Sequence, residues 1–569
     1  MRLGIRYDSK MENTVRHVLA SLFERIFTDI LIVWRTKESR SAWLTLSFLA
    51  ALLAVCAGVA WIGAVPTFID GHDNFFLLEN GWRVLHGLRP HLDFWSPWGP
   101  LTFLIVALGL KLSHSSPDGL AYGSAIFALV AGLWTYQVCR ARLAPVPGAL
   151  LALWNTILAC SPHPMGSSPM SLSPAMVYNR YGYAVLVIVL VECFQRTDRS
   201  GRGSKELLGG LSTGVALSLT LFLKASYFLA GLGLVGASFI LWFPSRRRFL
   251  GLVGGVFGVT FLALAYMHFE LAAMLRGLRL GAAARTQSLS LDTPLHIVAG
   301  EVVPLLCGIS VALAAVFLKP RWPERLGELY LPITAVIVSI ADIALLTTNM
   351  QPSGLPLLGA LGILIANRLA DPEYDSSANG HPFALPYCAS VLLLAGLLIW
   401  PLFAFDALAL PIAALRKSHP PPACSARFDE ARVAGLILCD RPDLNPDQKR
   451  SNGSIYTTYV NDGSALLRRY SMPADKVLTI DMQNPFPYVL GWLPPRGGLA
   501  STSFNYTVSA KFRPSFDQYF GDATVVLIPK HPAQDPDNLN GFYEIYGQAM
   551  EQRFAIVAES DWFRLYKRK

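Results

Sequence analysis

The chain has 569 residues, a formal net charge of +9 and a mean hydropathy of +0.39, with 53% hydrophobic and only 15% charged residues. A soluble protein carries about 25% charged residues, and a chain this long and apolar cannot hide its hydrophobic surface in one water-soluble core. The composition therefore excludes an ordinary soluble enzyme and a disordered protein, and it predicts a polytopic membrane protein.

Residues 1–41 contain no apolar h-region of the kind that a signal peptide carries. Instead, apolar residues recur at helical spacing between Val15 and Ile30, with charged residues among them. This pattern predicts an amphipathic N-terminal segment that lies on the inner membrane surface, and a plain cytosolic helix is the alternative.

Long apolar runs recur over residues 42–404, which we interpret as a transmembrane domain of about eleven helices. Lys224 interrupts the run 207–243, so we divide that run into two spans. Residues 98–112 are apolar but short, and a re-entrant or interfacial helix is expected there. The predicted spans are 42–65, 119–138, 145–161, 178–194, 207–223, 226–243, 249–267, 297–317, 328–347, 354–366 and 385–404.

The basic residues of the loops fix the expected orientation. With the N-terminus in the cytoplasm, the inner segments hold 21 Lys and Arg and the outer segments before residue 405 hold 8, which is the positive-inside bias. The cluster Arg246–Arg248 falls inside, and the C-terminus falls outside. Because the basic residues sort by membrane side, they do not indicate a nucleic-acid partner.

Residues 405–569 contain no span and are expected to form an extracytoplasmic α/β domain after a Pro-rich linker at 419–422. Short runs rich in β-branched residues predict strands, and two helices fit near 463–470 and 538–552. The predicted strands are Val433–Cys439, Val477–Asp481, Thr524–Ile528 and Phe554–Ala558.

Two of the eight cysteines, Cys424 and Cys439, lie in this outer domain. The environment outside the cytoplasm is oxidising, which favours a disulfide between them, with two buried thiols as the alternative.

The first outer loop, residues 66–118, carries the most information. It contains Asp70-Gly-His-Asp73-Asn74, then a helical stretch to Leu85, then Pro90-His-Leu-Asp93-Phe and Trp98-Gly-Pro-Leu. Interfacial aromatics and several prolines and glycines accompany these acidic residues. The loop is typical of a segment that holds carboxylates at the membrane surface, and a plain polar loop is the alternative.

These motifs resemble the first outer loop of GT-C type glycosyltransferases, polytopic enzymes that take sugars from polyprenyl-phosphate donors and include protein O-mannosyltransferases and lipid A aminoarabinose transferases. The resemblance covers roughly residues 66–112 and is closest to uncharacterised bacterial members, so it implies a GT-C-like fold in a bacterial inner membrane. It places Asp73 at the start of the helix that ends at Gly87. Several members carry an acidic pair where this chain has Asp73-Asn74.

Transfer from a lipid-phosphate sugar needs a base for the acceptor hydroxyl. Asp73 and Asp70 are the candidate catalytic bases. Asp93, Glu79 and His72 are candidates for acceptor contact or loop support, and Glu79 is expected on a solvated helix face. His72 and Asp73 are candidate ligands of a divalent cation, although no H-E-x-x-H or paired-Cys motif is present.

The leaving phosphate needs a cation near the outer surface. Lys224, Arg180 and Arg285 are the candidates, because Lys224 interrupts an apolar hairpin and Arg180 opens a span from outside. A snorkelling anchor or a headgroup contact is the alternative for each.

The sequence thus predicts an extracytoplasmic glycosyltransferase that moves a sugar from a polyprenyl-phosphate donor to a lipid, glycan or protein acceptor. A transporter or flippase for lipid-linked oligosaccharides is the alternative, although the two halves of the chain show no repeat. An envelope assembly protein is a third reading. No P-loop is present, so a nucleotide-driven pump is not expected.

Overall fold

The computed structural model describes most of the chain, and the predicted amphipathic segment before residue 39 lies outside the described residues. The described residues form a largely helical membrane protein with a small C-terminal sheet, as the sequence predicts. They are residues 39–194, 203–241, 244–285, 292–318, 330–349, 351, 353–369, 384–441, 452–532 and 536–569.

Each of the eleven predicted spans coincides with a helix or a bent helix pair. These apolar segments form helices because a backbone in lipid must satisfy its own hydrogen bonds. The membrane helices and those of the first outer loop are α1 Ser39–Ile62, α2 His72–Leu85, α3 Pro100–Leu112, α4 Gly119–Arg140, α5 Pro145–Cys160, α6 Val177–Phe194, α7 Gly203–Leu223, α8 Ala225–Leu241, α9 Arg246–Tyr266, α10 Leu271–Arg285, α11 Asp292–Gly300, α12 Val302–Leu318, α13 Tyr330–Asn349, α14 Pro356–Leu369 and α15 Ala384–Ser418.

Six helices among the described residues are long and apolar enough to cross a membrane, and a seventh span results if the bent pair Pro294–Gly300 and Val302–Leu313 is one span. The pair bends by 71°, in the region predicted as the single span 297–317. Four further apolar helices are shorter, including α3, which was expected to be re-entrant or interfacial. The count of eleven spans therefore stays a prediction. The expected domain boundary at residue 405 falls inside α15.

Glycines set the closest helix contact. Along α7 and α9, a Cβ atom on Gly210, Gly214, Gly251 or Gly255 would come within 2.0–2.5 Å of a backbone oxygen of the other helix. Both helices carry a Gly-x-x-x-Gly spacing, which allows two backbones to approach closely in a membrane.

Lys224 separates α7 from α8, as its charge in an apolar run predicts. Lys224 itself is not helical, since α7 ends at Leu223 and α8 begins at Ala225. The break between the two helices therefore lies at the residue that carries the ammonium group.

The C-terminal domain contains a four-stranded sheet in the order β1-β2-β4-β3. The β1–β2 pair is parallel, and the β2–β4 and β4–β3 pairs are antiparallel. Its elements are α16 Gly453–Tyr470, β1 Val477–Thr479, α17 Phe486–Leu490, α18 Phe516–Phe520, β2 Val525–Pro529, α19 Pro536–Arg553, β3 Phe554–Glu559 and β4 Phe563–Arg568.

Three of the four predicted strands are present, and β4 was not predicted. The expected strand Val433–Cys439 is wrong, because Ala431–Val433 forms a 3-10 turn and Leu438 makes only an isolated parallel bridge to Thr67. Val433, Leu436 and Leu438 are buried, and Leu438 lies beside Gly71 at the start of the first outer loop.

A disulfide joins Cys424 to Cys439, as predicted. The Cys439 backbone N–H donates to the Thr67 carbonyl at 2.8 Å, and the Thr67 N–H donates to the Ile437 carbonyl at 2.9 Å. The disulfide therefore fastens the segment that holds the start of the first outer loop.

Candidate functional site

Asp73 lies in the first turn of α2, at the end of the helix that carries positive partial charge. The preceding turn is tight, because the Asp73 N–H donates to the Asp70 carbonyl at 2.9 Å while Asp70 adopts a positive φ of 50°. Asp73 is largely buried, with a side chain that is 16% exposed, whereas Asp70 is exposed. Of the two candidate bases, Asp73 is therefore the one held inside the protein.

The surroundings of Asp73 make its carboxylate a stronger base than an ordinary aspartate. Burial raises the pKa of Asp73 to about 6, and the nearby charge of Asp70 adds to this rise. The neighbouring His72 side chain and the Met176 backbone oppose this rise. A carboxylate with a pKa near 6 is mostly ionised at neutral pH and is well matched to general-base work.

A short segment before and at the start of α6 connects Asp73 to Lys224. Met176 adopts a positive φ of 56°, and its backbone group lies close enough to Asp73 to lower the pKa of that carboxyl. Two residues later, the Tyr178 ring lies 5.3 Å from the Lys224 ammonium, and the Asn179 side-chain oxygen lies 3.5 Å from it. One stretch of backbone thus positions both the candidate base and a candidate cation.

Among the described residues, the Lys224 ammonium contacts two asparagine side chains and a tyrosine ring. It donates to the Asn349 side-chain oxygen at 2.6 Å, and the Asn349 amide in turn donates to the Tyr227 hydroxyl at 2.8 Å. Amide oxygens and an aromatic face stabilise an ammonium without neutralising its charge. The arrangement suits a cation that receives an anionic ligand.

Aromatic rings lie between the two charged residues. Phe76, one turn after Asp73 on α2, packs against Trp98 with ring centroids 4.7 Å apart, and Tyr178 packs against Trp98 at 5.9 Å. These rings form a continuous aromatic cluster from the Asp73 helix to the Lys224 contact.

An apolar groove begins beside Lys224. It runs between α8 and α13, has a volume of about 690 Å³, and is lined at one end by Ser226 and Thr348, the neighbours of the Lys224–Asn349 pair. Farther along, its walls are apolar and include Leu229 and Ile340, which are exposed on the outer surface of the helices. The groove could take an apolar chain directly from the bilayer.

Arg180 does not take the place expected for a phosphate ligand. It is buried and donates to Asp406 at 2.8 Å, to the His163 carbonyl at 2.8 Å and to the Leu158 carbonyl at 3.0 Å. His163 also contacts Asp406 at 3.0 Å. This buried ion pair fastens α6 to α15 and accounts for an arginine at the end of a span without a bound ligand.

Glu79 is not on a solvated face, contrary to expectation. It is 3% exposed, pairs with Arg83 at 3.3 Å, and accepts a hydrogen bond from the Tyr488 N–H at 3.1 Å. Burial raises the pKa of Glu79 to about 8, although Arg83 and the Tyr488 N–H oppose the rise. The prediction was wrong because the C-terminal domain covers this face of α2.

Asp93 makes contacts that support the first outer loop. Its carboxylate accepts from the Arg89 N–H at 2.8 Å and lies 3.7 Å from the Arg496 guanidinium. Its carbonyl accepts from the Gly497 N–H at 2.6 Å. These contacts fit the loop-support role and fasten the loop to the C-terminal domain.

His72 and Asp73 lie 3.3 Å apart, and His72 is buried. Within the ranges that the structure describes, no three His, Cys, Asp or Glu side chains gather in a way that could hold a metal ion. Arg285 is the last residue of α10, and its side chain lies outside the described part of the structure.

The C-terminal domain binds the first outer loop mainly through backbone groups. Asn80 donates to the Ala500 carbonyl at 2.8 Å, the Trp82 indole donates to the Trp492 carbonyl at 2.9 Å, and Trp95 exchanges backbone hydrogen bonds with this region. The loop helix that carries Asp73 is therefore fixed from both the membrane side and the outer side.

Sequence reasoning missed Met176 and Asp406. The role of Met176 depends on its backbone, which no residue pattern reveals. Asp406 interrupts the apolar stretch Phe403–Leu410, and an ionisable residue in such a stretch usually has a partner. That signal could have found Asp406, but the expected boundary at 405 placed it in the outer domain.

No family model matches the chain, and no curated protein matches it. Among solved structures, it is similar to ArnT from Cupriavidus metallidurans bound to undecaprenyl phosphate, with 15% identity, a TM-score of 0.47, and coverage of 92% of this chain and 98% of that chain. The apo ArnT structure gives 13% identity, a TM-score of 0.48, and coverage of 93% and 98%.

The archaeal oligosaccharyltransferase AglB from Archaeoglobus fulgidus, in complex with an inhibitory peptide and a dolichol-phosphate, is also similar. It shows 12% identity, a TM-score of 0.33, and coverage of 85% of this chain and 69% of that chain.

Proposed function

We propose that this protein transfers a sugar from a polyprenyl-phosphate donor to an acceptor at the outer surface of the membrane. The observation that carries the proposal is the link between Asp73 and Lys224. One short segment, Met176–Asn179, contacts the Lys224 ammonium and lies beside the Asp73 carboxylate. A base and a phosphate-binding cation are the two charges that this reaction needs.

Asp73 is the proposed general base. Burial raises the pKa of Asp73 to about 6, and its position at the start of α2 favours the ionised form, so the carboxylate stays mostly ionised at neutral pH. Asp70 is exposed and lies in the preceding turn, so we assign it a supporting electrostatic role.

Lys224 is the proposed phosphate ligand, and the groove between α8 and α13 is the proposed site of the polyprenyl chain. The groove starts at the neighbours of Lys224 and opens on lipid-facing side chains. A lipid could therefore place its phosphate at the ammonium while its tail stays in the bilayer. Arg285 stays a candidate for a second contact, and Arg180 is not part of this proposed site.

The reaction follows from these positions. Asp73 takes the proton of the acceptor hydroxyl, and the acceptor oxygen forms a bond to the anomeric carbon of the sugar. The bond between that carbon and the phosphate oxygen breaks, and Lys224 stabilises the charge that the phosphate gains. The products are the glycosylated acceptor and a polyprenyl phosphate.

The test uses the purified full-length protein in lipid nanodiscs with radiolabelled lipid-linked sugars extracted from the expressing cells. Release of polyprenyl phosphate, together with transfer of label to an extract of envelope lipids and glycans, is the expected result. Lys224→Ala and Asp73→Asn should both lose transfer. Lys205→Ala is the matched control, because Lys205 lies near the start of α7 and Lys224 directly follows its end.

A transporter or flippase would give a different result. Sealed vesicles that accumulate the lipid-linked sugar on one side, with no label in the acceptor extract and no release of polyprenyl phosphate, would overturn the proposal. Transfer that is unchanged in both Lys224→Ala and Asp73→Asn would move the site elsewhere.

A further inference from the structure

Asn179 carries a side-chain N–H group that no described residue accepts. Asn179 lies in the first turn of α6 and is fully buried. Its Nδ2 atom makes no hydrogen bond within the part of the chain that the structure describes. A buried N–H group without an acceptor lowers the stability of a fold, so a group of this kind calls for an explanation such as a bound ligand.

The Lys224 ammonium fixes the orientation of the Asn179 carboxamide. An ammonium group has donors only, so the carboxamide atom that faces it at 3.5 Å is the oxygen, Oδ1. Oδ1 and Nδ2 are bonded to the same carbon, and Nδ2 therefore lies close to the ammonium. The two residues place a charged donor and a neutral, unpartnered donor side by side.

Asn349 shows the arrangement of a carboxamide that only holds the lysine. Its Oδ1 atom accepts from the Lys224 ammonium at 2.6 Å, and its own amide group donates to the Tyr227 hydroxyl at 2.8 Å. Both polar atoms of the Asn349 side chain thus have partners. Asn179 contacts the same ammonium but leaves its N–H group unused.

The surroundings of Asn179 favour an anion that is attached to an apolar chain. The first turn of a helix carries partial positive charge, which adds to the charge of Lys224. The apolar groove between α8 and α13 is lined by Ser226, whose hydroxyl lies 3.4 Å from the Asn349 oxygen. A water molecule could satisfy the Asn179 N–H group, but it would use neither the ammonium nor the groove.

We propose that Asn179 is a ligand of the lipid phosphate beside Lys224. This inference rests on the proposed function and adds a residue that recognises the phosphate. The Asn179 Nδ2 group donates a hydrogen bond to one phosphate oxygen, and the Lys224 ammonium donates to another. The ammonium supplies charge, whereas the carboxamide N–H group, oriented by the contact of Oδ1 with Lys224, supplies direction.

The experiment must separate direct contact with the phosphate from an effect through Lys224, because Asn179 also contacts the ammonium. Asn179→Ala and Asn349→Ala are therefore each made in wild type and in Lys224→Ala, which gives two double-mutant cycles. Binding of a polyprenyl phosphate is measured in nanodiscs. A polyprenol of the same chain length, which lacks the phosphate, is the second probe.

We expect Asn179→Ala to weaken binding of polyprenyl phosphate in both backgrounds. In Lys224→Ala the further loss should be about 10-fold, the worth of one hydrogen bond to a charged group. Asn349→Ala should weaken binding only where Lys224 is present. Polyprenol binding should not depend on Asn179.

Equal phosphate affinities of Lys224→Ala and its double variant with Asn179→Ala would overturn the inference, because Asn179 would then act only by holding the lysine. An equal loss of polyprenol binding would also overturn it, since the effect would not involve the phosphate.

Asn179→Leu guards against an effect on folding, because leucine has a similar size and no polar atom. In the Lys224→Ala background it should reduce phosphate binding as Asn179→Ala does, and thermal unfolding without lipid should match that of Lys224→Ala. Phosphate binding equal to that of Lys224→Ala would contradict the inference. A large loss of thermal stability in both Asn179 variants would assign the side chain a structural role and would contradict it as well.

The two proposals fail in different ways. If wild type binds and releases polyprenyl phosphate and the cycle shows no direct effect of Asn179, only this inference is wrong. If wild type binds polyprenyl phosphate through Asn179 but releases none from a lipid-linked sugar with any acceptor extract, the proposed function is wrong and the phosphate site remains.

Discussion

The backbone of Met176, a residue held at a positive φ of 56°, lies beside the Asp73 carboxyl and opposes the rise of its pKa. A non-glycine residue pays a conformational penalty for this backbone geometry, which usually persists only where the surrounding structure requires it. Here the geometry places the Met176 backbone beside Asp73 and places Tyr178 and Asn179 at Lys224.

Asp73→Asn should fold normally and lose about 10²–10⁴ in turnover, the usual contribution of a positioned base. Asparagine keeps the size of the side chain but cannot take up a proton. Polyprenyl phosphate release by the purified variant measures the effect. Asp70→Asn is the matched control and should cost less, and the reverse order would transfer the catalytic role to Asp70.

The pH dependence of kcat/KM should have an acidic limb near pH 6. Because burial raises the pKa of Asp73 to about 6, the carboxylate is protonated below that pH and cannot act as a base. Asp70 raises this pKa and His72 lowers it. Asp70→Asn should therefore move the acidic limb to lower pH, and His72→Gln should move it to higher pH. If both variants keep the wild-type pH profile, the assignment of Asp73 as the base is contradicted.

Lys224→Ala should weaken binding of polyprenyl phosphate by about 1.5–3 kcal/mol, or roughly 10- to 150-fold, because it removes one charge-assisted contact. Fluorescence or scintillation binding measurements in nanodiscs check this. Wild-type affinity in Lys224→Ala would place the phosphate elsewhere, with Arg285 the next candidate.

Arg180→Ala should instead lower stability. The substitution leaves Asp406 buried without its arginine partner, a loss of about 3–5 kcal/mol for a buried pair. Thermal unfolding measures the effect, and adding Asp406→Asn should restore part of the stability. A variant that unfolds like wild type but binds donor weakly would return Arg180 to the phosphate site.

Gly233→Phe should block the groove between α8 and α13. A side chain at Gly233 meets no atom within 4 Å, so the ring can enter the groove without a backbone clash. Binding of a long polyprenyl phosphate should fall, while a short isoprenyl phosphate should still bind at Lys224. Gly258→Phe is the control, since Gly258 on α9 has equally open surroundings.

The sequence predicted the helical membrane domain, the break at Lys224, the disulfide and most of the outer domain, because each depends on local composition or spacing. It predicted Asp73 through the resemblance of the first loop. Glu79 was misjudged because the residue that it bonds, Tyr488, lies 409 positions away. The pairing of Arg180 with Asp406 was not foreseen for the same reason, since the two residues lie 226 positions apart. Single-residue patterns carry no information about such distant partners.

The hydrogen bond between Asn80 and Ala500 has a consequence for biogenesis. The two residues are 420 positions apart. Because a ribosome adds about 5–20 residues per second, Ala500 is synthesised roughly 20–80 s after the helix that carries Asp73. During that time Glu79 and Arg83 lack the backbone groups that later cover them. We therefore expect the first outer loop to reach its final structure only after the C-terminal domain has folded. C-terminal truncations should consequently be inactive even when every span is inserted.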